Sequence, residues 1–200
     1  ELQSLMRQEK GRRVMVCTHL VKWIGGDLEA GFLRAVTGED PYSLRVNGGA
    51  IAVDLLQFDD DNVQARSALF SEYLIQNHFE TDWIIDGVYG LVVEAVRRKR
   101  ERVYQKLLGS LMRFSALDRA LRRDPNRHAA LIAHYDRLHR DSEVNAEPLF
   151  WLQYAILMME VGDLNAAERF LQTAYNRADD SPGFKTYQID TQALRYVLVR

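Results

Sequence analysis

The stretch PLFWLQYAILMMEVGDLNAAERFLQTAYNRAD, from Pro148 to Asp179, decides the fold of this chain. It reads as two antiparallel helices that turn at Gly162. Two such helices approach closely only where side chains are small. Ala155 takes the crossing position of the first helix, and Ala167 and Ala174 take the small positions of the second, with Leu171 between them. Gly162 frees the backbone at the turn, and Trp151 fills the wider end.

A register that combines Trp151, Ala155, Gly162, Ala167, Leu171 and Ala174 resembles a tetratricopeptide repeat, a recognition scaffold rather than a catalytic one. Met158 stands where the repeat usually has Tyr. Asp179 replaces the closing Pro, and Pro182 arrives slightly late. A generic helical hairpin is the plainer reading, since Ala and Gly recur wherever helices pair tightly.

Two hundred residues bury a proper core as one large domain or two small ones. Hydrophobic content of 47% and charged content of 27% are those of a soluble globular chain. The single cysteine, Cys17, allows no internal disulfide, so the chain reads as cytoplasmic. Cys17 sits in the apolar run Val14-Met15-Val16-Cys17 and is expected in the core. No apolar run approaches the about 18 residues that cross a bilayer, and no membrane partner is expected. The amino end, Glu1-Leu2-Gln3-Ser4, has neither an initiator Met nor the pattern of a signal peptide, so the chain reads as a piece of something longer.

Charge is unevenly spread. Residues 1–80 carry 8 Lys+Arg against 12 Asp+Glu, residues 81–140 carry 13 against 7, and residues 141–200 carry 5 against 9. A basic middle between acidic ends suits attraction between segments or to an acidic partner.

Residues 1–81 read as a first module. Val14, Cys17, Leu20, Val21 and Ile24 form a helical stripe that Gly25-Gly26 ends. Asp27 is expected to cap a second helix carrying Ala30, Phe32, Leu33 and Val36 and closing at Gly38. A turn-rich passage follows Pro41 through Asn47-Gly48-Gly49. Residues 50–56 read as a strand, Asp59-Asp60-Asp61-Asn62 as a turn and Val63–Arg66 as the return strand. Ser67 caps a helix carrying Leu69, Phe70, Tyr73 and Leu74. Helix, helix, hairpin, helix is the order of a winged-helix module.

Residues 82–200 read as helix throughout, in stretches from Trp83 to Arg100, Val103 to Phe114, His128 to His139 and Tyr187 to Val199 around the opening hairpin. Asp124-Pro125 breaks the run. About three helix pairs would stack, in line with what a solenoid needs. The expected fold class is therefore mainly α, a winged-helix-like module with a small hairpin followed by a tetratricopeptide-like array.

Residues 65–74, ARSALFSEYL, follow a glycine-bounded hairpin and resemble the closing helix of the winged-helix domain in STAND-type signalling NTPases. Phe150–Ala155 and Tyr187–Thr191 resemble the helical repeats that follow such domains in bacterial members, where the work is defence signalling. The resemblance implies a regulatory segment whose nucleotide-binding module lies upstream. Its partner would be that module or an external ligand protein.

Candidate chemistry is sparse. Gly25-Gly26 and Gly48-Gly49 lack the Gly-Lys-Ser/Thr of a phosphate loop, so no nucleotide cofactor is expected. Asp59-Asp60-Asp61 lacks the alternate spacing and closing Glu of a calcium loop. His19, His78, His128, His134 and His139 form no i, i+4 pair, so no metal site is expected either. No nucleophilic constellation is evident, and catalysis is not expected. The strongest charged feature is Arg97-Arg98-Lys99-Arg100-Glu101-Arg102. It reads either as a patch for nucleic acid or an acidic partner, or as the solvated end of a long helix, where cations complement the dipole. The second helix of the winged-helix-like module offers Arg34 against Asp27 and Glu29, a poor surface for phosphates. Protein recognition or regulation is the favoured function, with nucleic-acid binding as the alternative.

Overall fold

The computed structural model describes residues 2–181 and 183–200, with side chains from Leu5 onward. Among these residues the chain is mainly helical, with one two-stranded antiparallel sheet. Pro182, expected as the late closing proline, lies outside the described residues. The chain divides into two compact units. The first holds the residues up to Leu111 together with Ala120–Asp124, and the second holds Met112–Arg119 and Pro125–Arg200.

The first unit opens with α1 (Leu2–Arg7), α2 (Glu9–Trp23), α3 (Ala30–Thr37), α4 (Ser43–Asn47) and α5 (Gly49–Leu55). Strands β1 (Leu56–Phe58) and β2 (Val63–Ala65) follow, then α6 (Ala68–Asn77), α7 (Thr81–Arg97) and α8 (Arg102–Leu111). The hub is α2. The sequence suggests a stripe along it, but every residue from Val14 to Val21 is buried. A helix enclosed on several sides needs apolar residues all round, and α1, α3, α6, α7 and β2 each pack on this one. Gly87 lets α7 close in, because a Cβ there would stand 3.0 Å from the side chains of Leu20 and Val16. Helix α7, which lies beyond residue 81, packs on α2 and α3 within this first unit.

Four local expectations are corrected here. Residues 50–55 are helical rather than extended. The hairpin pairs only Leu56 with Ala65, Gln57 with Gln64 and Phe58 with Val63. Beyond Ala65 the partner chain turns into the Ser67 cap, so the preceding residues satisfy their backbone groups as helix. The passage after Pro41 likewise forms α4 rather than open turns. Asp27 does not cap α3, which starts after Glu29; Ala30 N–H donates to the Asp61 carbonyl at 2.8 Å, and Asp27 pairs with Lys22 at 3.2 Å. Helix α7 ends at Arg97, and the chain from Arg98 to Glu101 is a turn. Ser67 does cap α6, accepting the Phe70 N–H at 3.1 Å.

The second unit contains α9 (Phe114–Ala120, of which Ala120 clusters with the first unit), α10 (Arg127–His139), α11 (Ser142–Asn145), α12 (Pro148–Val161), α13 (Leu164–Asp179) and α14 (Tyr187–Val199). The helix expected from Val103 to Phe114 stops at Leu111, and Phe114 opens α9 instead. The sequence and the structure agree on the α12–α13 hairpin. Gly162 ends α12 in the left-handed region, φ 85°. Asp163 N–H donates to the Met158 carbonyl at 2.9 Å and Gly162 N–H to that of Met159 at 3.3 Å, the bonding of a Schellman turn. Asp163 then caps α13 by accepting the Ala166 N–H at 2.9 Å. Ala155, Ala167 and Ala174 are each fully buried, and Trp151 and Leu171 are buried beside them.

Tyr135, Phe150, Trp151, Tyr154 and Phe170 of this unit share one nest. Tyr135 stacks on Tyr154 at 5.2 Å between centroids, Tyr154 meets Phe170 at 4.3 Å, and Phe170 meets Trp151 at 5.4 Å. Each polar end finds a partner, as buried aromatic hydroxyls and indoles require. Tyr135 O–H donates to the Met112 carbonyl at 2.7 Å, Tyr154 O–H to Asp136 at 2.6 Å, and Trp151 Nε1–H to the Asn145 carbonyl at 2.8 Å. Burial pushes both tyrosine hydroxyls well above their usual range, with the Asp136 carboxylate adding to the effect at Tyr154.

Candidate functional site

Residues of α12 and α14 line a hollow of about 330 Å³ in the second unit. Leu152 and Ile156 of α12 supply its apolar lining. Gln153 is fixed in place, because its Oε1 accepts the Phe114 backbone N–H at 2.9 Å, which leaves the amide N–H₂ as its donor end. From α14 come Gln188 and Gln192, and Arg113 supplies the formal charge. Gln188 Nε2 donates to the Tyr187 hydroxyl at 3.0 Å. Gln192 Oε1 is buried and meets no donor among the described residues.

These groups suit an extended polypeptide. A side-chain amide offers a donor and an acceptor in one plane, the pair that a peptide backbone returns. A buried acceptor without a donor is costly, so an incoming N–H at Gln192 would be favoured. Arg113 adds a fork for a carboxylate. The helices behind the hollow are tied together. Tyr196 O–H donates to Glu168 at 3.0 Å, Arg195 pairs with Glu160 at 3.2 Å, and Tyr175 O–H donates to Asp190 at 2.7 Å. Burial, reinforced by Asp190, pushes the Tyr175 hydroxyl up to about 12.

No single pattern in the sequence marks this hollow. Arg113 precedes α9, Gln153 lies within an apolar helix, and Gln188 and Gln192 lie on a helix read only for its apolar face. Helix α14 packs on both α12 and α13, a contact that no spacing in the sequence states.

The basic run falls elsewhere, on the turn between α7 and α8. Its plainer reading fits part of it: Arg97 closes α7 and pairs with Glu94 at 3.8 Å. Arg98 donates to Glu94 at 2.7 Å and lies over the rings of Phe32 and Tyr104, at 5.3 and 5.6 Å. Lys99, Arg100 and Arg102 are exposed, and Arg98 is part-buried. The run is a turn, so Arg97, Arg98, Lys99, Arg100 and Arg102 do not form a stripe on one helix.

Buried titratable groups sit in the first unit. The Cys17 thiol is fully buried, which pushes its pKa up to about 12. His19 is buried between α2 and α6, its pKa lowered by burial to about 4, with Nδ1 2.8 Å from Ser71 Oγ. Neither group reaches solvent, so neither can meet a substrate. At the hairpin tip, Tyr42 O–H lies 2.7 Å from the carbonyls of both Asp59 and Asp60, and Gln57 Nε2 donates to the Asp59 carboxylate at 3.1 Å. Among the described residues no three His, Cys, Asp or Glu side chains stand where they could hold a metal ion, and no helix is long and apolar enough to cross a membrane. Set against known protein families, curated proteins and solved structures, the chain matches none of them.

Proposed function

We propose that this chain is a protein-recognition and regulatory segment, non-catalytic by itself, in which the second unit works as a tetratricopeptide-like array that holds an extended piece of a partner protein. The observation that carries this reading is the amide-rich hollow between α12 and α14, backed by a hairpin with small residues at its crossing. The resemblance to STAND-type NTPases makes the partner either an upstream nucleotide domain of the same protein or an external ligand protein, in the cytoplasm. In that reading the first unit is the winged-helix-like part, and partner binding biases the parent protein between its states. The alternative, nucleic-acid binding through the α7–α8 turn, is weaker because Glu94 and two rings already engage Arg98.

Panning a random peptide library on the 200-residue chain tests it, with parallel panning on an R113E/Q192A variant of unchanged melting temperature. Peptides enriched by the native chain and lost on the variant support the reading. Enrichment that is the same on both, or absent from both, removes it.

A further inference from the structure

Helix α6 buries one face and leaves another bare. Ser71, Leu74 and Ile75 are buried against the first unit. Leu69, Phe70 and Tyr73, apolar residues of the same helix, are exposed by 79%, 38% and 50%. Three large apolar side chains on two adjacent turns form a patch rather than a scatter, and such patches on folded domains mark contact surfaces. The patch is ordered before anything binds. Phe70 stacks on Tyr73 at 5.9 Å, Tyr73 lies 5.3 Å from the His78 ring, and Asn77 Nδ2 donates to the Tyr73 carbonyl at 2.6 Å. Fixed aromatic rings lose little entropy on contact, which suits them as anchors.

The patch borders a hollow of about 500 Å³, within the size range of a site that encloses a side chain or a short segment. Its walls carry two charges. Glu72 accepts from Gln76 Nε2 at 3.1 Å. Arg122, contributed by the chain just after α9, has no polar partner among the described residues, and neither does its neighbour Arg123. The next residue, Asp124, is engaged by the Thr81 hydroxyl at 2.6 Å. The apolar patch is thus edged by one guanidinium, Arg122, with the Glu72 carboxylate held by Gln76, all within the first unit.

We infer that this hollow is a second docking site, for a segment of a partner protein that sets an aromatic or aliphatic side chain on the Leu69–Phe70–Tyr73 patch and a carboxylate against Arg122. Charge complementarity chooses this occupant. A guanidinium without a partner beside apolar surface gains most from a carboxylate delivered by a chain that also covers that surface. An anionic membrane is the poorer fit, since surfaces that hold it carry clusters of four or more cations. A nucleic-acid strand is poorer too, since it needs a track of cations along its backbone.

Three probes test the assignment on the 200-residue chain. They are a capped nonapeptide with tryptophan and leucine among glutamates, the same peptide with lysines for glutamates, and phosphatidylserine vesicles. Binding is read by fluorescence anisotropy and by amide shifts of α6. The glutamate peptide should bind about tenfold more tightly than the lysine peptide, the effect of one formed charge pair. R122E should reverse that preference, and L69D should abolish binding without changing the melting temperature, because Leu69 is exposed. R113E, in the α12–α14 hollow, should change nothing. Equal binding of the two peptides, no binding at all, a preference that survives R122E, loss of binding in R113E, or binding of vesicles in place of peptide would each overturn the inference.

Discussion

His19 on α2 and Ser71 on α6 are 52 residues apart in the chain, yet their side chains meet at 2.8 Å, Nδ1 to Oγ. The Ser71 hydroxyl spends its one proton on the Ser67 carbonyl, at 2.8 Å. His19 must therefore carry its own proton on Nδ1 and donate it to Ser71. Nε2 is left bare and buried, and the ring lies against Phe79 at 6.0 Å. Protonating Nε2 would place a cation in an apolar wall with no acceptor.

This arrangement makes the first unit acid-sensitive. Burial lowers the His19 pKa from 6.5 to about 4, so the unfolded chain takes up the proton first as pH falls. The contribution is fully present above pH 6.5 and is lost progressively down to pH 4. It amounts to on the order of 3 kcal/mol at most. Urea midpoints measured across that window should fall more steeply for the native chain than for His19→Phe. Parallel slopes would remove His19 as the cause.

Cys17 should resist thiol reagents in the native state. With full burial and a pKa near 12 it offers neither access nor thiolate at neutral pH. Its reaction with a disulfide reagent should follow opening of the α2 surroundings, and urea below the unfolding midpoint should accelerate it. Fast reaction without denaturant would contradict the packing around α2.

Gly162→Ala should be a mild lesion. A Cβ there would touch nothing within 4 Å, so only the left-handed backbone resists it. The expected loss is about 1–2 kcal/mol, lowering the melting temperature by about 2–4 °C per kcal/mol. Ala167→Leu should cost more, because that position is fully buried at the helix crossing. Thermal melts of the two variants give the order.

Tyr135→Phe keeps the stacked ring and removes one hydrogen bond. The Met112 carbonyl would then be buried without its donor, at about 1–3 kcal/mol. Denaturant titration should show a lower midpoint with an unchanged slope. A neutral result would mean that the carbonyl finds another donor.

The α12–α13 hairpin was legible because its determinants are local. Gly162 at the turn and alanines at fixed offsets state a close crossing without reference to the rest of the chain. The first unit was harder because its determinants are remote. Residues 50–55, Ala-Ile-Ala-Val-Asp-Leu, are an apolar run that reads as a strand, yet the return strand ends at Ala65 before the Ser67 cap, and they are helical. Leu69 and Tyr73 are apolar and helical in spacing, yet exposed; which face of α6 turns inward is set by Ser71, Leu74 and Ile75 meeting α2. The α12–α14 hollow draws Arg113, Gln153 and Gln192 from three separate segments, a meeting that only the packed helices bring about.

The order in which the chain visits its two units bears on how this protein can be cut and recombined. Met112–Arg119 belongs to the second unit, Ala120–Asp124 returns to the first, and Pro125 re-enters the second. The early visit matters, because the Met112 carbonyl holds the Tyr135 hydroxyl and the Phe114 N–H holds Gln153. A gene fragment starting at Pro125 would inherit the five helices α10 to α14, with the look of a portable cassette, but not the two backbone groups that anchor its aromatic nest and its hollow. Exchange of this module between proteins therefore has to take a junction before Met112, carrying the Ala120–Asp124 excursion, and with it Arg122, along as a passenger.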